Sequence, residues 1–332
     1  MSLKMPRESD RKLAKRVVKY IKGEAQMFYK KDNEAAINGF TVGYLESLIA
    51  RIIENNPEAR AEVIRVLMDE LTRLASHILW WGAFAMDVGA ITPFFHAFRE
   101  RELINDIMEE TCGARLTMNY MVPGGVMVDI HPNFQRRVKD FIKQFKSKID
   151  EYDELLTYNA IFINRAKGVG YISPSDAISY GCSGPTLRGS GVTCDIRKHA
   201  TYSIYHKLNF KEILFEEGDT YARYMVRMEE MRQSLSILEQ LIDNIPDGEF
   251  QAKTKAVLKP PKGEFYTRVE TARGEFGVYL VSEGGTTPYR IKFRSPGFSN
   301  LSALDHMTKG SKIGDLVAIM GSLDLVIPDI DR

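Results

Sequence analysis

The sequence is poor in cysteine and contains no long apolar run. Three cysteines, Cys112, Cys182 and Cys194, lie far apart in 332 residues. A small, odd number of cysteines argues against a disulfide framework and for a reducing compartment. The most apolar stretch, residues 78–95, is interrupted by two glycines, an aspartate and a proline, whereas a membrane span needs about 20 mostly apolar residues. Any membrane association is therefore expected to come through partner proteins.

An excess of charge of either sign is also missing. Lysine and arginine number 45, aspartate and glutamate 44, and the formal net charge is +1, so a nucleic-acid binder with a basic surface is not expected. The first ten residues are polar and lack the apolar core of a secretory signal. What is present, 44% hydrophobic and 27% charged residues, is typical of a soluble globular protein with a sizeable core.

Helical periodicity dominates the first 250 residues. Apolar residues recur at i, i+4, i+8, i+11 and i+15 from Val63 to Ile78, which predicts one long helix over residues 58–90. Pro93 is expected in the first turn of the next helix, with Thr92 as its N-cap. Further helices are predicted over residues 133–160 and 217–244.

The pattern changes after residue 250. Residues 264–295 alternate as strands do, with turn signals at Gly274 and at Gly284-Gly285. The chain is therefore predicted to be an α+β protein that is mainly helical. We divide it into an N-terminal helical segment (1–57), a helical core (58–250) and a β-containing C-terminal part (251–332).

Several long motifs follow one another along the chain. They are ELTRLASHILWWGAFAMDVGAITPFFHAFRERE (70–102), INRAKGVGYISPSDAISYGCSGPTLRGSGVTCDIRK (163–198), DTYARYMVRMEEMRQS (219–234) and the ending IMGSLDLVIPDIDR (319–332). These motifs resemble, in the same order, those of the D-subunit family of NADH-quinone oxidoreductase, the respiratory complex I. The resemblance runs from about residue 59 to residue 332.

The resemblance implies the fold of the [NiFe]-hydrogenase large subunit but not its metal site. Hydrogenases hold nickel and iron through two Cys-x-x-Cys pairs, because such a site requires soft thiolate ligands. No two cysteines are close in this sequence. Hydrogen chemistry is therefore not expected, and the chain is expected to bind no metal and no other cofactor of its own.

The function that the resemblance implies is that of a quinone-chamber subunit in the peripheral arm of a proton-translocating NADH:quinone oxidoreductase. Electrons would pass from the terminal iron–sulfur cluster of a small partner subunit to quinone, the substrate. The implied partners are that small iron–sulfur subunit, other peripheral-arm subunits and the NAD-binding module of the complex. The implied location is the cytoplasmic side of the inner membrane, and the isolated chain is expected to be inactive. The alternative is a catalytically silent scaffold or assembly paralogue.

The N-terminal region departs from the family pattern. Members of the family normally open with a Gly-Pro-Gln-His-Pro segment and a His-Arg-Gly element, and neither occurs here. The histidine that helps to bind the quinone headgroup therefore has no counterpart. The second headgroup ligand is a tyrosine, and the resemblance gives that role to Tyr44 in Gly43-Tyr44-Leu45. A truncated copy, a diverged paralogue and one piece of a split or fused gene remain open.

Asp87 is the strongest candidate for chemistry. It lies within the apolar run WWGAFAMDVGAITPFF, where a buried carboxylate without a partner is costly. One interpretation is a helix-end or salt-bridged aspartate beside Gly89. The resemblance implies instead a carboxyl that links quinone protonation to proton pumping. On that interpretation Asp87 is expected to be buried and hydrogen-bonded.

Four further residues are candidates. The resemblance places Asp324 and Val326 in the quinone pocket, on a tail that would otherwise be expected to fray. Arg188, in the glycine-rich GPTLRGSG, is expected to face the cluster of a neighbouring subunit, since glycines permit close backbone approach. His77 is expected either to be a satisfied core residue or to lie near that cluster.

Overall fold

The computed structural model describes residues 59–116, 118–122, 124–252, 262–285 and 287–331. Helix α1 (Ala59–Asp87) is 29 residues long and largely buried. Helix α2 (Thr92–Cys112) begins after a short turn, with a proline in its first turn, and ends at Gly113 in the left-handed conformation that glycine favours (φ 76°). The two helices pack tightly, because a Cβ at Gly82 would lie 2.7 Å from the Cβ of Ala97.

The remaining helices follow the chain order. They are α3 (Phe134–Tyr152), a π-helical turn (Asp153–Thr157), α4 (Ala160–Ala166), α5 (Pro174–Ser179), α6 (Gly184–Arg188), α7 (Ile196–His199), a 3₁₀ turn (Tyr205–Lys207), α8 (Thr220–Ile242), α9 (Pro296–Ser302), α10 (Leu304–Thr308), α11 (Ile313–Ser322) and α12 (Ile327–Ile330). Helix α8 packs against α1 and α3. The main core lies between these helices, and α11 covers a smaller apolar cluster that includes Ile172, Met307 and Ile319.

The described residues also form two antiparallel sheets. Strands β1 (Met121–Val122) and β2 (Gly125–Val126) form a small hairpin. Strands β3 (Gly263–Thr271), β4 (Gly274–Ser282) and β5 (Arg290–Arg294) form a three-stranded sheet in that order. Its buried side chains, among them Val269, Phe276 and Val278, join the main core. The protein is thus mainly helical, with a small β part near its C-terminal end.

The sequence predictions for the long helices and the strands are largely confirmed, with two corrections. The helix predicted over 133–160 changes to a π-helical turn after Tyr152 and ends at Tyr158. Helix α4 then begins separately, because Asn159 adopts an extended conformation (ψ 121°) and accepts from the backbone N–H of Ile161. Thr92 is not the N-cap of α2, since Ile91 occupies that position without a side-chain hydrogen bond. The predicted segment 1–57 lies outside the described residues. No helix in the described ranges is long and apolar enough to cross a membrane.

A contact between two glycines joins the sheet to the helical body. Gly184, at the start of α6, has a φ of 63°, and a Cβ there would lie 2.4 Å from the Cα of Gly274 and 2.5 Å from the carbonyl oxygen of Arg273. These neighbours are backbone atoms of the β3–β4 turn, so they have no side-chain rotation by which to yield. The turn can approach the helical body only if residue 184 lacks a side chain.

The first prediction tests this contact with Gly184→Ala and its neighbour Gly181→Ala. Gly181 has a similar φ of 69°, but nothing lies within 4 Å of the place that a Cβ would take, so its substitution is expected to cost only about 1–2 kcal/mol of backbone strain. Gly184→Ala adds backbone overlap and is expected to lose at least about 1–3 kcal/mol more. Urea unfolding followed by circular dichroism measures both. Equal losses in the two variants would contradict the importance of the contact.

Candidate functional site

Asp87 is the last residue of α1, and its side chain is exposed. Within the described residues the carboxylate makes no hydrogen bond and no ion pair. Partial burial nevertheless raises its pKa above the ordinary value. The expectation of a buried, hydrogen-bonded Asp87 is therefore wrong for this chain: the helix ends here, and the turn through Gly89 leaves the carboxylate at the edge of the core.

Helix α11 packs beside Asp87. The indole N–H of Trp80 donates to the carbonyl oxygen of Gly321 at 2.8 Å, which attaches the end of α11 to α1. A second face of α11 is exposed and apolar. This apolar stripe, at positions i, i+3, i+4 and i+7, consists of Ile313, Leu316, Val317 and Met320. Among the described residues, a carboxyl without a partner at the end of α1 thus lies next to a helix with an exposed apolar face.

The C-terminal tail returns to the same region and is not frayed. Asp324 is buried and has a φ of 55°, a strained conformation for a residue other than glycine. Arg273, in the β3–β4 turn, donates to its backbone carbonyl at 2.9 Å and to its Oδ1 at 3.2 Å. Its Oδ2 is buried and has no hydrogen-bond partner in the described part of the chain. Val326 is half-buried, and its carbonyl oxygen accepts from two backbone N–H groups of α12. The tail is held by the β3–β4 turn and by α9, where the backbone N–H of Gly297 donates to Oδ2 of Asp329 at 2.9 Å.

Two buried arginines of α8 lie at the C-terminal end of α11. Arg223 donates to the hydroxyl of Ser322 at 2.9 Å. The guanidinium of Arg227 lies 4.5 Å from the ring centroid of Trp80, and its Nε and Nη2 find no hydrogen-bond partner among the described residues. Burial lowers the pKa of both arginines to about 10. Cations at this position complement the negative end of the helix dipole.

Deeper in the core, Arg188 joins two carboxylates from different elements. Its Nε donates to Oε1 of Glu230 at 3.0 Å, and its Nη1 donates to Oε1 of Glu270 at 2.8 Å. The other oxygen of Glu230 lies 2.9 Å from Nε2 of His77. These four residues, fully or almost fully buried, are called the Arg188 cluster below.

A second buried group surrounds Glu70 on α1. Its carboxylate accepts from Arg197 at 3.1 Å, from the hydroxyl of Tyr205 at 2.6 Å and from that of Ser234 at 2.6 Å. Arg197 also donates to Asp195 at 2.7 Å. Each charge in this group therefore has both an opposite charge and hydrogen bonds, which is the condition for retaining ions in a core.

The pKa values of the buried acids reflect these partners. Burial by itself would raise the pKa of Glu230, but the Arg188 charge and the hydrogen bond with His77 lower it well below its usual range. Burial is likewise outweighed at Asp195, where Arg197 and Arg188 lower the pKa to about 2. Burial lowers the pKa of His77, although Glu230 partly opposes this. The pair is therefore a carboxylate and a neutral imidazole at neutral pH.

The structure brings together some predicted site residues and separates others. Asp324 and Asp87 both lie near the end of α11, whereas Arg188 and His77 both bond to Glu230 in the core. The expectation that Arg188 faces a neighbouring subunit is not met: its guanidinium is 0% exposed and paired with carboxylates of its own chain. His77 is a buried core histidine, as one of the two interpretations held. Tyr44 lies outside the described residues.

Sequence reasoning missed the charged face of α8. Arg223, Arg227 and Glu230 recur at i, i+4 and i+7 in DTYARYMVRMEE, which places them on one side of the helix. All three are buried. Charged residues at the i, i+4 and i+7 spacing that is typical of a buried helix face were the signal that could have identified these three residues. Glu270 gave no comparable signal, because its partner Arg188 is 82 residues away.

Comparisons with known proteins give one consistent result. The family model for the 49 kDa subunit of the respiratory-chain NADH dehydrogenase matches residues 87–332. The chain is 55% identical, over 273 residues, to the C/D subunit of the NADH-quinone oxidoreductase of Bacteroides fragilis, covering 82% of this chain and 52% of that protein. It is 48% identical over 284 residues to the D 2 subunit of the Solibacter usitatus enzyme, covering 86% of this chain and 77% of that protein. The D subunit from Bacillus cytotoxicus is 46% identical over 273 residues, covering 82% and 75%. The chain thus spans about half the length of the C/D relatives.

The second prediction concerns the Arg188 cluster. Arg188→Met keeps much of the volume but leaves two buried carboxylates without their cation, so it is expected to cost about 3–5 kcal/mol of unfolding free energy. Arg115 is a matched control because it also contacts several carboxylates, those of Glu102, Asp106 and Glu109, but on the surface. Arg115→Met should lose much less, since solvent screens exposed pairs. Chemical unfolding measures the stability of both variants. Equal losses would contradict the conclusion that Arg188 neutralises two buried carboxylates.

The third prediction is a pH dependence of stability that originates at His77. Burial lowers its pKa in the folded chain, so between that value and about 6.5 the unfolded chain binds a proton that the folded chain excludes. Stability should therefore fall as the pH drops below about 6.5, and further below about pH 4, where the unfolded chain takes up protons at Asp195 and Glu230 that the folded chain excludes. His77→Gln should flatten the first part of this decrease. His206→Gln, at an exposed position, should not. The measurement is the thermal unfolding of the wild type and of both variants between about pH 7 and 5. Identical slopes of stability against pH in all three proteins would refute the role of His77.

Proposed function

Because the chain belongs to the 49 kDa subunit family of the respiratory-chain NADH dehydrogenase, we propose that it forms part of a quinone chamber. In this proposal it positions quinone for reduction by electrons from a partner subunit. The relatives carry the name NADH-quinone oxidoreductase, and this chain covers only part of them. The activity of the whole complex is therefore part of the proposal.

The observation that carries the proposal is the setting of Asp87. Its carboxyl has no partner in the described residues, its pKa is raised by partial burial, and the adjoining helix α11 presents the apolar stripe. A quinone has an apolar tail and a polar headgroup that takes up protons. An apolar surface beside a carboxyl with a raised pKa matches both requirements.

The proposed chemistry assigns the proton work to this chain. Reduction of a quinone to its hydroquinone takes up two electrons and two protons. The electrons would come from the terminal iron–sulfur cluster of the partner. Asp87 would hold one of the protons and donate it to a headgroup oxygen, and the second proton would come from bulk solvent, which would also reprotonate the carboxylate. Asp324 and Val326 would line the pocket, and Tyr44 would contact the headgroup.

The chemistry of its own thiols supports the proposal that this chain supplies no cluster ligands. Iron–sulfur clusters are held by several cysteine thiolates. The three thiols of this chain, those of Cys112, Cys182 and Cys194, lie far apart in the sequence. In the described parts of the chain no three histidine, cysteine or acidic side chains are grouped to hold a metal ion. The same thiols do not suit a hydrogenase-type site, although we infer the hydrogenase large-subunit fold for the helical body.

The proposed partners follow from the family. They are a small iron–sulfur subunit, the other peripheral-arm subunits and the NAD-binding module, with proton translocation as the activity of the whole assembly. The proposed location is the cytoplasmic face of the inner membrane, with the membrane reached through partner subunits. Large exposed apolar side chains near Asp87, including Met86, Ile91 and Phe95, are compatible with surfaces that a complex covers.

The fourth prediction tests Asp87 in the assembled complex. Asp87→Asn retains the shape of the side chain but cannot donate an acidic proton, so quinone reduction is expected to fall by roughly 10²-fold. Asp305→Asn is the control, because Asp305 is an exposed carboxylate paired with the exposed Lys309 at 3.2 Å. Turnover is measured against the abundance of the complex on a native gel.

The outcome separates the proposal from a silent scaffold. Full turnover in an assembled Asp87→Asn complex would remove Asp87 from the mechanism. A complex of wild-type chains that assembles but reduces no quinone would instead favour the scaffold function.

A further inference from the structure

Gly321, in the last turn of α11, lies directly against the carboxyl of Asp87. A Cβ at this position would lie 2.7 Å from Oδ2 of Asp87 and 2.9 Å from Cδ2 of Phe84. Distances below 3.0 Å are essentially never seen for real Cβ atoms. The absence of a side chain at residue 321 is therefore what allows α11 to reach the carboxylate.

The helix cannot avoid the overlap by moving away. The carbonyl oxygen of Gly321 accepts from Trp80 at 2.8 Å, and the next residue, Ser322, accepts from Arg223 at 2.9 Å. On another face of the helix, Ile319 is fully buried. Phe84 is fixed as well, because its ring stacks on Trp80 with centroids 5.1 Å apart. Asp87 is exposed and, within the described residues, unpaired, so it is the group that yields.

We propose that Gly321 is a positioning residue that sets the place of the Asp87 carboxyl at the quinone site. This inference rests on the proposed function of Asp87. A methyl group at residue 321 would turn the carboxyl outward, away from the surface of α11 and from a bound headgroup. The protein would keep its acid but hold it in the wrong place.

Displacement should also change the protonation of Asp87. Burial is the cause of its raised pKa. The elements packed around Asp87 also carry charged or titratable groups. They are Arg165 of α4, Arg223 and Arg227 of α8, Asp315 of α11, and His96 and Arg99 of α2. Arg165 donates to the carbonyl oxygen of Val88 at 2.9 Å. A carboxyl turned outward loses burial, so its pKa falls. If protonated Asp87 is the donor, turnover in Gly321→Ala should then decline at a lower pH than in the wild type.

The fifth prediction compares Gly321→Ala with Gly314→Ala. Both add one methyl group to α11, but a Cβ at Gly314 has nothing within 4 Å. In the assembled complex, Gly321→Ala is expected to lower quinone reduction about tenfold or more, since small misplacements of catalytic groups are costly. It should also shift the alkaline limb of the pH profile to lower pH. Gly314→Ala should leave both unchanged. A wild-type pH profile and turnover in an assembled Gly321→Ala complex would overturn the inference.

A double variant separates positioning from general damage. In the Asp87→Asn background, Gly321→Ala should have no further effect on turnover, whereas a merely structural role predicts an additional loss. If Gly321→Ala does not assemble, it is combined with Phe84→Leu. This double variant removes the overlap of the new methyl group with the Phe84 ring but retains its overlap with the Asp87 carboxyl. The same pH shift is expected there, measured against Phe84→Leu alone, and its absence refutes the inference. Normal turnover in Asp87→Asn would reject the proposed function itself, while a loss in Asp87→Asn without one in Gly321→Ala rejects only the role of Gly321.

Discussion

In the Arg188 cluster and in the group around Glu70, the buried charges are retained because an opposite charge meets each of them. Removing an ion from water costs several kcal/mol, and geometry and hydrogen bonds must offset that cost. The pairs that satisfy this constraint connect segments far apart in the chain: Glu70 with Arg197, and Arg188 with both Glu230 and Glu270. Helices α1, α6, α7 and α8 and strand β3 are thereby fixed relative to one another. Apolar packing alone is less directional and would tolerate more sliding between them.

Helices α1 and α8 connect this charged core with the region around the exposed C-terminal end of α1. On α8, Glu230 belongs to the Arg188 cluster, while Arg227 and Arg223, one and two turns earlier, lie at the end of α11. On α1, His77 contacts Glu230, and Trp80, one turn later, contacts α11. Accurate placement of Asp87 thus depends on a rigid interior, since residues on helices are held more accurately than residues on loops.

Local patterns in the sequence predicted what depends on local interactions. The length of α1 and the β3–β4 hairpin follow from periodicity and turn residues. The π-helical turn after α3 was not predicted, and neither was the start of α4, because a single cap at Asn159 decides where α4 begins. The inward direction of Arg188 was not predicted either, since its partners are 42 and 82 residues away. Asp87 is a further case that local patterns did not predict. The apolar residues around it in the sequence indicate burial, but its exposure is decided by the position at which α1 ends.

The protein contains only two tryptophans, and they are adjacent on α1. They point to different neighbours. Trp81 stacks on Tyr152 with ring centroids 3.8 Å apart and donates to Tyr224 in the main core. Trp80 lies beneath Arg227 and donates to Gly321. Any movement of α11 away from α1 breaks the hydrogen bond of one indole and leaves the other untouched. Intrinsic fluorescence of a Trp81→Phe protein would therefore report optically on the seating of α11, with no attached label.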